Sequence, residues 1–285
     1  MSRRRLAKNT LLKLILRTDL LGVFNIRDII QEVQNVLGDN YKYNERPVTE
    51  IEYKVEDLQP LETEDLLTNK IRNQYNNYEF ILNEEKNIKF VLNEYSIVFE
   101  MDNFSEYKEI DQYISDYIKI FSVVSTAYPK IRVVRLGLRK INMIIANSIE
   151  SAYEIVKENH FPKVVDYFDN VDVNSFKEVK TDKLDNIQFE DVSFNIKKIM
   201  QLGIYNDNQK AYQIFIDIDT FKREDQIGSI GDLNEKIINI NEKIFGIYEK
   251  IVTEDFMRYL EDKNNTDFNE KILEGVNLNA DVNNE

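Results

Sequence analysis

The chain contains no cysteine, which removes disulfides, thiolate metal sites and cysteine nucleophiles together. With one histidine, His160, a histidine-built metal cluster is excluded, and any Ser/His/Asp triad would have to use this single residue. Its place at a helix end, just before Phe161 and Pro162, favours a cap or dipole partner over catalysis. Only eight glycines and four prolines occur. Neither G-x-x-x-x-G-K-[ST] nor G-x-G-x-x-G is found, so the common phosphate-cradling nucleotide enzymes are disfavoured. No apolar run approaches the ~20 residues of a membrane span. The N-terminal MSRRRLAKNTLLKLIL is basic, but its apolar stretch is short, broken by Lys13 and without a small-residue cleavage site. It reads as a cytoplasmic start.

Positive charge is the next shortage. Lys and Arg total 37 against 51 Asp and Glu, a formal charge of −14. Nucleic acid is held mainly by cations on its phosphates, so non-specific binding is disfavoured, and so is docking on anionic membranes. What is present is a core: 42% hydrophobic and 11% aromatic residues in 285, enough for one large or two small domains without covalent staples.

The chain is organised around Ile131 to Ile145, IRVVRLGLRKINMII. At period two, Val134, Leu136 and Leu138 share one face, while Arg135, Gly137, Arg139 and Ile141 share the other, the pattern of a strand. A glycine inside a strand marks a bulge, a bend or a close approach. Arg135 and Arg139 stand about 13 Å apart at ~3.3 Å per residue. Two readings follow: they grip an anionic group or partner over Gly137, or, as preferred in a chain rich in carboxylates, they pair with acids on neighbouring strands.

The same residues carry a resemblance. Arg135, Gly137, Leu138, Arg139, Ile141 and Asn142 are similar to the R-x-G-L-R-Y-I-N motif of a sporadically distributed family of bacterial proteins without an established activity. Lys140 stands where that family favours an aromatic. By element order the resemblance runs from about Leu11 to Leu260. It implies no mechanism; the patchy distribution implies a mobile-element or phage-defence setting.

Periodicity predicts a strand at Thr10–Arg17 and an amphipathic helix at Ile26–Leu37 ended by Gly38. A strand at Val48–Val55 and a polar connection from Pro60 to Asn77 follow. Tyr78–Leu82, Ile88–Leu92 and Ser96–Met101 form an antiparallel meander turning at Glu85–Asn87 and Asn93–Glu94. A helix from Ser105 to Tyr128 carries Tyr107, Ile110, Tyr113, Ile114, Tyr117, Ile118 and Phe121 on one face, and Pro129 stops it. After the central strand come a helix at Ile149–Glu158 capped by Ser148, a mixed stretch containing Pro162, and strands at Ile187–Ile204 and Ala211–Asp219. The longest helix starts at Ser229 or Asp232 and reaches Leu260. Its seam of Leu233, Ile237, Ile240, Ile244, Ile247 and Ile251, widened by Ile238, Phe245 and Tyr248, is expected to face the sheet, with self-association second.

The expected fold class is therefore α+β: an antiparallel sheet from two similar halves, each strand, helix, strands, helix, with long helices on one face. This resembles the tandem halves of the TATA-binding-protein-like arrangement, an analogy of architecture alone. The halves are residues 1–129 and 130–262, sharing one core, and residues 263–285 are expected as a disordered acidic tail.

The most enzyme-like feature is Asp217-Ile-Asp219. Two carboxylates on one strand face, about 7 Å apart at ~3.3 Å per residue, fit Mg²⁺ binding with Glu190 or Asp191 as a third acid. Equally, either aspartate fits a pairing with Arg135 or Arg139. The leading reading is a non-enzymatic binding or accessory protein without a cofactor. Arg135, Gly137 and Arg139 face a protein partner of unknown identity, and a homodimer is a further candidate. The alternatives are a metal-dependent hydrolase or nuclease using Asp217 and Asp219, and a nucleic-acid binder using a free sheet face.

Overall fold

A computed structural model describes residues 6–22, 25–53, 70–82, 87–102, 111–161, 179–206, 209–227 and 233–278. The elements in chain order are β1 (Lys8–Asn9), β2 (Leu11–Leu21), a 3₁₀ turn (Ile26–Ile29), α1 (Ile30–Leu37), β3 (Tyr41–Tyr53), β4 (Lys70–Leu82), β5 (Ile88–Asn93), β6 (Ser96–Asp102) and α2 (Asp111–Ala127). There follow β7 (Arg132–Ala146), α3 (Ile149–Ile155), β8 (Lys180–Gln188), β9 (Ser193–Tyr205), β10 (Gln209–Arg223), α4 (Glu224–Ile227), α5 (Leu233–Ile251), α6 (Glu254–Glu261), β11 (Ile272–Glu274) and β12 (Asn277–Leu278).

The molecule is mixed α+β, built on one ten-stranded antiparallel sheet in the order β3-β4-β5-β6-β2-β7-β10-β9-β8, with β11 added beside β7. β2 and β7 lie at the centre of this sheet and pair antiparallel. After each of them the next strand of this sheet lies at an edge, β3 or β8, and the later strands fill back inward until β6 lies beside β2 and β10 beside β7.

Both long helices cover one face. The buried Tyr117 on α2 donates to Thr18 Oγ1 at 2.6 Å, and the buried Tyr248 on α5 meets Thr10 Oγ1 at 2.7 Å. A single apolar cluster runs from Leu11 and Leu14 on β2 through Leu136 and Leu138 on β7 to Ile237 and Ile244 on α5. Burying side chains of this size is worth about 1.5–3 kcal/mol each, so the two halves depend on one core.

Several expectations need correction. Bulges shift the facing of the central strands: β2 and β7 slip register between Asp19 and Leu20 and again between Leu11 and Lys13. Leu20 therefore pairs with Val133, and Val133, rather than Val134, enters the core beside Leu136 and Leu138. An extra residue in one strand of a pair reverses the facing of what lies beyond it.

The expected strand at Ile187–Ile204 is two elements. β8 ends at Gln188 and β9 begins at Ser193; β8, KTDKLDNIQ, is nearly all polar and carries no period-two apolar signal. Within the connection expected from Pro60 to Asn77, residues from Lys70 onward belong to β4. The meander turn at Asn93 is present, its Oδ1 accepting from the backbone N–H of both Tyr95 and Ser96 at 2.9 Å.

The last helix breaks at Val252, which bridges to Val156, and Thr253 caps α6 by accepting from Phe256 N–H at 3.3 Å. Tyr248 is buried where the seam placed Ile247, which is only partly covered.

Within the tail expected to be disordered, residues 263–278 are folded. Phe268 is buried against Phe256 and Tyr259, β11 pairs with β7, and β12 pairs with β1. Between them Gly275 has φ +95° and a Cβ there would stand 2.2 Å from Met143 O, so only glycine lets the chain pass this close to β7. The expected Ser105 cap, the helix start at Ser229 or Asp232, the turn at residues 85–86, Pro162 and residues 279–285 lie outside the described residues.

Candidate functional site

β7 and β10 present the arginines and aspartates together on the face away from the helices. Their register sets Arg139 opposite Asp219, Asp217 opposite Ile141, Phe221 opposite Gly137 and Arg223 opposite Arg135. Both arginines reach along β7 to an acid beyond their register partner. Arg135 donates through one Nη to both oxygens of Asp219 at 3.1 and 2.8 Å. Arg139 forms a fork on Asp217, Nε to Oδ1 at 2.8 Å and Nη to Oδ2 at 2.5 Å. Two parallel charge-assisted bonds fix geometry as well as adding energy.

Gly137 explains how Arg135 gets there. A Cβ at this position would lie 3.2 Å from the Arg135 guanidinium and 3.1 Å from the Cβ of Phe221. The glycine clears a path over the strand, and the guanidinium rests 4.6 Å from the centre of the Phe221 ring, a cation–π contact.

Around these pairs the face continues as a ladder of alternating charges. Lys89 lies 3.5 Å from both Glu79 and Glu100, Lys13 meets Asp102 at 3.1 Å, and Lys197 meets Asp182 at 3.7 Å. Arg17, directly opposite Gly137, bonds Asp19 at 2.5 Å. Burial raises the Asp219 carboxyl above the usual carboxylate range, opposed by Arg135, Arg139 and Asn195. The bonds that Arg139 donates to Asp217 raise the guanidinium pKa above its ordinary value.

At one end of the face, Val134, Arg135, Phe221, Arg223 and Glu224 line an open depression of about 780 Å³. Val134 contributes to its wall because the bulge turns it away from the core.

Of the two proposed third acids, Glu190 and Asp191, Asp191 does not join the aspartate pair. Asp191 bonds Lys243 of α5 at 2.6 Å and lies 3.8 Å from Lys222, so it is tied to the helix side. Among the described residues no three carboxylate or imidazole groups converge to hold a metal. His160 lies elsewhere. Burial first, then Lys198, Lys183 and Lys157, push its pKa down, and its Nδ1 is enclosed with no hydrogen-bond partner among the described residues.

Sequence reasoning placed Arg135, Gly137 and Arg139 on the central strand and Asp217 and Asp219 at the end of a later one; β10 in fact continues to Arg223 beside β7, and the fold brings all five together. It missed Phe221, Asp19 and Asn195, whose roles come from register: Asn195 stands opposite Asp219 and reaches it at 3.5 Å. An aromatic two residues beyond Asp219 was the one available signal. Among the described residues, no helix is long and apolar enough to cross a membrane. No family model, curated protein or solved structure matches the chain.

Proposed function

We propose that this is a non-enzymatic binding or accessory protein that engages a protein partner across the sheet face opposite its helices, with Arg135, Gly137 and Arg139 at the centre. The observation that carries the reading is the fork of Arg139 on Asp217 together with the Arg135 bonds to Asp219. Each aspartate that a metal-dependent hydrolase would need is already engaged by a guanidinium. An array of donors and acceptors, locked in position by its own pairs, suits recognition of another polar surface. The nucleic-acid reading is weaker for the same reason: Arg17, Arg135 and Arg139 each have a carboxylate to neutralise before meeting a phosphate.

The strand order supports a tandem origin for the platform. Each half would start at the sheet centre, cross to an edge and build back inward, related by an approximate two-fold axis between β2 and β7, as in the TATA-binding-protein-like arrangement. The family resemblance adds an accessory role in a mobile-element or phage-defence system.

The test is quantitative affinity capture from the native host with wild type and with the Arg139→Ala/Asp217→Ala double variant, which removes the pair without stranding a charge. Loss of a specific protein partner by a folded double variant supports the reading. A partner retained at full strength, or Mg²⁺-dependent hydrolysis that disappears with Asp217→Ala, refutes it.

A further inference from the structure

The sheet ends at β8, whose sequence is complementary to itself. β8 pairs with β9 along one edge, and among the described residues no strand pairs with the other. An unpaired edge is a template for a further strand, and natural proteins usually block it with charges, lysine above all. In β8 the charges instead select one pairing.

Consider two copies of KTDKLDNIQ pairing antiparallel about a two-fold axis normal to the sheet. Opposed side chains must point to the same face, so the axis passes through a residue position, and the central choices are 183, 184 and 185. An axis at 183 sets Lys183 against Lys183 of the second copy; an axis at 185 sets Asp185 against Asp185. Like charges directly opposed are destabilising. An axis at 184 sets Leu184 against Leu184 and places Lys183 opposite Asp185 twice, once on each side. Thr181 then faces Ile187, and Asp182 faces Asn186.

We propose that β8 is a dimerisation edge, joining antiparallel to β8 of a second copy about a two-fold axis at Leu184 and extending the two sheets into one. Leu184 is 58% exposed, with Ile187 and Phe189 also exposed on or beside the strand, and the pairing covers Leu184 and Ile187. The proposal stands apart from the central arginine face and leaves it open. One nine-residue edge is smaller than a standard interface, so association belongs in the micromolar range.

A chain without cysteine allows a direct test. Leu184→Cys places two thiols opposite each other, with Cα atoms ~4.5–5.5 Å apart, inside the disulfide range. Asp182→Cys and Asn186→Cys each lie ~13 Å from their own counterpart at ~3.3 Å per residue. The full chain is examined by sedimentation velocity across the micromolar range, and the three variants by mild oxidation, with circular dichroism confirming the fold. The expected result is a dimer whose Leu184→Cys form crosslinks while the other two do not. Lys183→Asp, which needs no thiol, is expected to weaken the dimer at least severalfold. A monomer at every concentration, equal crosslinking at all three positions, or a dimer indifferent to Lys183→Asp overturns the proposal.

Discussion

Removing Arg139 and removing Asp217 are expected to have unequal costs, although both break the same fork. The Asp217 side chain is 8% exposed and that of Arg139 is 44% exposed. Arg139→Ala strands a nearly buried carboxylate. Fully buried pairs lose ~3–5 kcal/mol on such truncation, whereas exposed pairs are worth ~0–1 kcal/mol. With one partner buried and the other half in solvent, about 2–3 kcal/mol is expected. Asp217→Ala leaves a guanidinium that can swing into water, so about 1 kcal/mol is expected. The double variant should cost less than the sum by about 1 kcal/mol, because the two groups touch. In a chain of this size the Arg139→Ala cost lowers Tm by roughly 5 °C. Urea melts followed by circular dichroism measure all three variants. The reasoning fails if Asp217→Ala costs more than Arg139→Ala, or if the single costs add in full. An unchanged Arg139→Ala melt with abolished partner capture would assign the arginine to recognition alone.

Gly137→Ala should destabilise by about 1 kcal/mol, since crowding against the Phe221 Cβ outweighs the entropy gained in the unfolded chain; a neutral or stabilising result in the same melts would contradict the role given to the glycine. His160, as the single histidine, should give one imidazole resonance titrating below 6.5. Its folded pKa is depressed, so the unfolded chain binds more protons below 6.5, and this part of the stability is full above that pH and lost as pH falls; a midpoint at or above 6.5 would refute it. Asn241 is buried on α5 with both amide atoms lacking hydrogen-bond partners among the described residues, so Asn241→Leu should stabilise by about 1–2 kcal/mol, and a lower Tm would show that the amide is satisfied in solution. Melts with and without EDTA should coincide; a large drop in EDTA would revive a carboxylate metal site.

Local pattern was enough for the α+β class, the central strand, the aromatic face of α2 and the candidacy of Asp217 and Asp219 as arginine partners. Period-two and helical repeats are carried by neighbours in the chain, and a central charge needs either a partner or water wherever the strand is placed. Which arginine meets which aspartate was another matter. It depends on the β7–β10 register and on the room that Gly137 leaves for Arg135, neither of which a single strand encodes. The exchange of Val133 for Val134 in the core, set by a bulge against β2, was equally invisible. β8 has almost no apolar signal and is a strand because β9 offers it an edge. Phe268 lies in a polar segment that composition assigns to disorder, yet Phe256 and Tyr259 give its ring a place to bury. The β7–β10 and β2–β7 contacts join residues far apart in the chain, and the β8–β9 and Phe268 contacts join separate elements, so only the assembled sheet and its helices could settle them.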